Sequence, residues 1–333
     1  MTSMIGLWAN SLRLNESDVW HNFPGLPFAL NIEANMSGEK HRIWINQNWH
    51  FTVYLSIVYM VTIFLGAQYM KTRPAFDLRR PLALWSASLA IFSIMGTIRC
   101  LPEFLSIIYN HGFIESFCNN SYKDDNRLVF WYLLFIWSKV AELGDTAFIV
   151  LRKQKLINLH WIHHVLTLCY CFFVFPDEPG TARWMVGMNF AIHSVMYTYY
   201  ALRALRIRIP RGISMSITIA QIVQMIFGLI INIMSFNYVI NSSTGSSSHS
   251  RTCDMTVPSA TTGLGLYTLF FMLFINFFIC AYLRNNSRTK RIVFMTTTND
   301  NNHNEIRHQI KSMIADNNDD NNADHKMIAK KFE

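Results

Sequence analysis

Long apolar runs recur along the chain from about Trp49 to Leu283, each separated from the next by a short polar stretch. Crossing the hydrocarbon core of a bilayer takes about 20 residues of helix. The pattern predicts helices over His50–Met70, Pro81–Leu101, Leu128–Leu151, Leu159–Phe175, Trp184–Leu205, Ile217–Ile240 and Thr262–Tyr282. This is an all-α, multi-pass membrane protein with about seven transmembrane helices. The fourth run is short, and the third and fourth carry polar groups that weaken their hydropathy. The predicted organisation is a lumenal tail over 1–48, a membrane domain over 49–284 and a cytosolic tail over 285–333.

The charges between the runs alternate. Lys71, Arg73, Arg79 and Arg80 follow the first run; Arg152, Lys153 and Lys155 follow the third. Arg203, Arg206, Arg208 and Arg211 follow the fifth, and Arg284, Arg288, Lys290 and Arg291 follow the seventh. The other connections hold few basic residues. The positive-inside rule makes the basic loops cytosolic, with the N-terminus lumenal and the C-terminus cytosolic. The net charge of +8 is thereby absorbed in topology, and no nucleic-acid partner is expected. The first 48 residues show no basic start, apolar core and small-residue cleavage site, so no cleaved secretion signal is expected.

Other features agree with this sidedness. Glycosylation sequons at Asn15, Asn35, Asn119 and Asn241 all fall on the predicted lumenal side. Cys118 and Cys253 fall there too, in an oxidising space, and are expected to form a disulfide. Cys100, Cys169, Cys171 and Cys280 lie inside runs and are expected to act as small hydrophobes. The chain ends Lys330-Lys331-Phe332-Glu333. A lysine pair so close to a cytosolic C-terminus resembles a dilysine retrieval signal and predicts the endoplasmic-reticulum membrane. Ser242–Ser248 and Asn299–Asp324 are too polar to form a core.

Several runs carry polar side chains at helical spacing. Lys139, Glu142 and Thr146 share one face of the third helix, with Asp145 beside them. Lys139 lies roughly 18 Å from the cytosolic end, near mid-membrane. Ionisable groups at that depth cost about 2.5–3.5 kcal/mol each even on insertion scales, so they pair or perform a function. A salt bridge that locks helices together is the bland alternative. His160, His163 and His164 share a face of the fourth helix near its cytosolic end. Asn189, His193, Tyr197 and Tyr200 form a stripe on the fifth, and Thr218, Gln221 and Gln224 a shorter one on the sixth.

Clustered histidines admit a metal site, as in di-iron lipid desaturases. Such enzymes use several separate histidine boxes, whereas here only four histidines lie on the stripes. A His-Glu-x-x-His zinc helix is also missing. No bound metal is therefore expected. Acid–base or nucleophilic work by imidazole ranks ahead of it. Cys169 or Cys171 could serve as nucleophile instead, but neither has a polar neighbour in the linear sequence. A receptor or transporter whose stripes form a ligand path is the reading from outside enzymology.

Taken in order, Lys139-x-x-Glu142-x-x-Asp145-Thr146, His160-x-x-His163-His164, Asn189-Phe190-x-x-His193-x-x-Met196-Tyr197-x-Tyr199-Tyr200 and Thr218-x-x-Gln221-x-x-Gln224 resemble the motifs of the fatty-acid elongases, the ELO/ELOVL family. The resemblance runs from about Trp49 to Arg291. The text from Glu142 to Trp161 is similar to the branch acting on saturated and monounsaturated chains. It implies a very-long-chain 3-oxoacyl-CoA synthase that condenses a saturated, monounsaturated or branched acyl-CoA with malonyl-CoA, releasing CO2 and CoA. Both CoA esters are substrates, and no bound cofactor is implied. The helices would enclose an acyl-chain tunnel closed toward the lumen. The resemblance assigns His163 as acyl acceptor, with His160, His164 and Asp145 orienting it and His193 handling the thioester or enolate. Glu142 and Lys139 would bind the malonyl carboxylate or its enolate. Asn189, Tyr197, Tyr200, Gln221 and Gln224 would position substrate, and Arg152, Lys153, Arg203 and Arg206 would meet the CoA phosphates. Implied partners are membrane lipid and the ketoacyl-CoA reductase, dehydratase and enoyl reductase of the cycle, with room for a homo-oligomer.

Overall fold

The computed structural model describes Glu33 and residues 38–243 and 252–284. Regular structure there is entirely helical. The α-helices are α1 (Gly38–Asn48), α2 (Phe51–Met70), α3 (Arg79–Cys118), α4 (Asn126–Glu142) and α5 (Gly144–Leu151). They continue with α6 (Asn158–Val174), α7 (Ala182–Ala204), α8 (Arg211–Ser243) and α9 (Val257–Phe278), the last running into a π-helical turn at Ile279–Arg284. Among the described residues, five helical segments are long and apolar enough to cross a membrane: those over α2, α3, α6, α8 and α9. The other two predicted runs, α4–α5 and α7, are helical as well, and they carry the polar stripes.

Surface and interior have exchanged their usual roles. Tyr54, Val58, Leu65, Leu84, Ile91 and Met272 are exposed, Leu84 by 71%. Ser56, Ser86, Ser93, Lys139, Glu142 and Arg183 are buried. Exposed apolar area on this scale marks a lipid-facing surface. On α2 the buried side is the stripe Thr52, Ser56, Tyr59 and Ile63, at helical spacing.

The helices close into a ring. α3 packs along α7, α7 against α8, α8 along α9, α9 against α6, α6 against α4, and α4 back against α3. α2 lies outside it, against α5 and α6. Small residues allow the tightest approach. A Cβ on Gly96 would sit 2.6 Å from the Phe190 ring, so only glycine lets α7 settle onto α3 there.

Three elements differ from the sequence expectation. α3 extends well past Leu101, through Pro102, and bends only at Gly112, where φ is +88°. The run Leu128–Leu151 divides at Leu143, which keeps helical dihedrals. Upstream of Trp49, α1 buries Ile45 in the main core, and Glu33 pairs with Arg99 at 3.2 Å while accepting from Trp131 Nε1 at 2.7 Å. Packed structure thus begins before residue 49.

The far end of the ring from the histidines is clasped. A disulfide joins Cys118 to Cys253. Asp254 N–H donates to the Cys118 carbonyl (2.8 Å), and Gly180 N–H to the Asp254 carbonyl (2.9 Å). Arg183, fully buried, donates to both Glu103 oxygens, to the Ser116 and Asn119 carbonyls and to Ser121 Oγ. Asp177 accepts from Thr256 Oγ1 and Ser259 Oγ.

Candidate active site

Two cavities occupy the ring, and they meet. The first, of about 160 Å³, is lined by the three histidines of α6, the stripes of α7 and α8, and Lys155. The second, of about 90 Å³, is more apolar and runs toward Tyr122, Glu178 and Pro179 beside the disulfide clasp. His163, Asn189, Gln224 and Met225 line both. The junction therefore joins a polar chamber to an apolar one at an imidazole. His163 is flanked there by Phe270, ring to ring at 4.9 Å, and by His164 at 5.5 Å.

Beside the junction lies a buried charged network. Lys139 Nζ donates to Glu142 Oε1 (2.8 Å) and to Asn189 Oδ1 (2.9 Å). Ser138 Oγ donates to the same Glu142 oxygen at 3.0 Å. His193 Nδ1 lies 3.8 Å from it, and His193 Nε2 shares a hydrogen bond with Asn189 Nδ2 at 3.2 Å. Glu142 Oε2 has no hydrogen-bond partner. Lys139 and Glu142 are each 2% exposed, so their mutual pairing is what makes burial tolerable. Their spacing of three residues on α4 sets that pairing, and His193 and Asn189 reach it from α7 because they share one helical face.

A second chain of hydrogen bonds holds His160. Tyr59 and Thr146 hydroxyls lie 2.6 Å apart, and Thr146 Oγ1 lies 2.9 Å from His160 Nε2. Asp145 lines the first cavity with the three histidines. One of its oxygens accepts from Trp85 Nε1 and the other from Tyr197, each at 2.7 Å, which ties α5 to α3 and α7. Gln221 donates to Met196 Sδ at 3.3 Å, and Tyr200 and Gln224 line the first cavity.

Lys153, with φ at +53°, donates to the carbonyls of Lys71 and Arg73, both at 3.0 Å. Arg152 is buried, Arg206 is exposed at the end of α7, and Arg203 keeps its Nε buried without a hydrogen bond. The basic side chain on the first cavity is Lys155. Trp85, Tyr59, Ser138, Lys155 and Phe270 were missed. Tyr59 was readable from the spacing of the buried stripe on α2, whereas Trp85 sits in an apolar run with nothing to single it out.

Among the described residues, no three His, Cys, Asp or Glu side chains converge as a metal site would require. At the far cavity end, burial holds the Glu178 carboxyl above the usual carboxylate range. Asn119 is half-buried next to the disulfide, and its Oδ1 accepts from Ser121 N–H at 2.7 Å. Asn241 is exposed at the end of α8. Asn15, Asn35, Lys330 and Lys331 lie outside the described residues.

Residues 44–290 match the model of the ELO, or GNS1/SUR4, family. The chain belongs to the ELO family. Among its ELO relatives, "Very long chain fatty acid elongase 6" of Drosophila melanogaster is 41% identical over 261 residues, covering 78% of this chain and 81% of that protein. "Very long chain fatty acid elongase 3" of Mus musculus is 40% identical over 243 residues, covering 73% and 86%. "Putative fatty acid elongase 3" of Caenorhabditis elegans is 38% identical over 265 residues, covering 79% of each chain. In this ELO chain the four motifs described above therefore converge on one pair of joined cavities.

Proposed function

We propose that this protein is the condensing enzyme of fatty-acid elongation, a 3-oxoacyl-CoA synthase joining a long-chain acyl-CoA to malonyl-CoA. The observation that carries the reading is His163 at the junction of a polar and an apolar cavity. An acyl chain fits the apolar cavity, a CoA ester fits the polar one, and the thioester then lies at the imidazole.

His163 attacks the thioester carbonyl; the C–S bond breaks and CoA leaves as the thiol, taking the imidazole proton. Malonyl-CoA next loses CO2, and the electron pair so released forms the new carbon–carbon bond as the acyl–imidazole bond breaks. The imidazole recovers a proton from solvent, so one proton is consumed overall. His193, on the first cavity, can balance negative charge developing on the malonyl oxygens, with Lys139 behind it acting through Asn189. Glu142 holds Lys139 in place. His160, held by Thr146, and His164 pack against the nucleophile and set its orientation. Lys155, on the first cavity, meets the CoA phosphates.

No bound metal or organic cofactor takes part in this reading. The basic loops face the cytosol and the disulfide clasp faces the lumen of the endoplasmic reticulum, with Lys330 and Lys331 as retrieval signal. Reduction and dehydration fall to partner enzymes acting on the released 3-oxoacyl-CoA.

The test is a microsomal condensation assay with labelled malonyl-CoA and a panel of acyl-CoAs, without NADPH. Labelled 3-oxoacyl products are expected, unaffected by chelators and lost in a folded His163→Ala variant. Correctly expressed protein that labels no product with any primer would refute the reading.

A further inference from the structure

Thr167 stands apart from the other threonines of the helices. Thr62, Thr97, Thr198, Thr218 and Thr268 each donate to the carbonyl four residues back, at 2.6–3.1 Å. That bond is how a threonine hydroxyl satisfies itself where water is excluded. Thr167 makes no such bond, and its buried Oγ1 has no hydrogen-bond partner among the described residues. The residue lines the apolar cavity, one helical turn beyond His163.

The next turn of the same face continues the pattern. Tyr170 also lines this cavity, and its hydroxyl has only a thioether acceptor, Met185 Sδ at 3.4 Å. Behind it lies Asn232, 1% exposed. Asn232 Nδ2 donates to the Gly228 carbonyl (2.7 Å), while its Oδ1 is buried without a partner. Gly263 leaves the gap between them: a Cβ there would collide with Asn232 Oδ1 and lie 2.8 Å from the Tyr170 hydroxyl. A hydroxyl and a weakly used phenol thus face a mostly apolar cavity, with an orphan amide oxygen behind the phenol. Buried polar groups in native proteins are paired almost without exception, so unpaired ones at a ligand cavity point to a ligand.

We propose that Thr167 and Tyr170, backed by Asn232, form a polar subsite for an oxygenated acyl chain, one bearing a hydroxyl on a carbon roughly 6–10 Å beyond the carbonyl held at His163, the rise of one to two helical turns. Rotation about χ1 of Thr167 exchanges its methyl and hydroxyl, so the same wall accepts an unsubstituted chain through the methyl. This rests on the elongase reading above.

The test uses the full-length protein in microsomes. Acyl-CoAs of one chain length, with a hydroxyl walked along the chain, are compared with the unsubstituted ester. The readout is the rate ratio of hydroxylated to unsubstituted primer. A maximum in that ratio is expected at one intermediate position. Thr167→Val, and independently Tyr170→Phe, should lower the ratio there about tenfold, the upper range for one net hydrogen bond. A ratio that falls smoothly with no maximum would overturn the subsite. So would a maximum that both variants leave in place, which would leave only a resident water on these groups. If the unsubstituted primer also yields no product, the underlying reading fails, and the subsite with it.

Discussion

The Lys139 ammonium and the Glu142 carboxylate meet at 2.8 Å, both buried, with His193 3.8 Å from the same carboxylate oxygen. A pair placed this way can serve packing or chemistry, and substitution separates the two. Removing one partner of a buried pair costs about 3–5 kcal/mol, because the survivor is left uncompensated. Glu142→Gln keeps shape and an acceptor for Ser138. Its amide oxygen can still accept from Lys139, so the variant should lose thermal stability yet remain folded in detergent size-exclusion chromatography, while losing at least about 100-fold in condensation rate, on the scale of a lost acid–base or electrostatic group. A variant that keeps both fold and rate would make the pair purely structural.

Product length should answer to the far end of the apolar cavity. Ala182 lines it near Pro179, at the start of α7. Ala182→Phe should shorten the longest product without abolishing condensation of shorter primers. Chromatography of the labelled products reads this directly, and an unchanged length distribution would count against that cavity as the acyl site.

Arg183 should prove the most stability-sensitive residue at the clasped end. Its guanidinium joins α3, the segment after the disulfide, and α7 through Glu103, Ser116, Asn119 and Ser121. Arg183→Met strands the Glu103 carboxylate and should cost about 3–5 kcal/mol. A large fall in thermal midpoint in detergent is the expected result. The double variant Arg183→Met with Glu103→Gln should recover part of the loss.

Of the two described sequons, Asn241 should carry glycan and Asn119 should not. Asn119 is packed beside the disulfide with its side chain turned onto Ser121 N–H, whereas Asn241 is exposed. Asn241→Gln should remove an endoglycosidase-sensitive mobility shift that Asn119→Gln leaves intact.

Local order was readable in the sequence, and partners far apart along the chain were not. The seven apolar runs all became helix, and Lys139 with Glu142 announced themselves by a three-residue spacing. The extension of α3 was hidden because Pro102 and Glu103 read as the end of a run, whereas Glu103 is buried by a partner 80 positions later. Asp145 bonds to Trp85 and Tyr197 across 60 and 52 positions, contacts that no periodicity announces.

The clasped end of the ring gives the proposed reaction a stopping rule. With the acyl chain in this cavity, every return of a chain grown by one acetyl unit would drive its methyl terminus deeper toward Tyr122 and Pro179, where the Tyr122 hydroxyl is tied to the Pro179 carbonyl at 3.1 Å. Nothing there would have to recognise the finished product. The carbonyl of an overgrown chain would stop short of His163, so that counting is done by collision at one end and read out at the other.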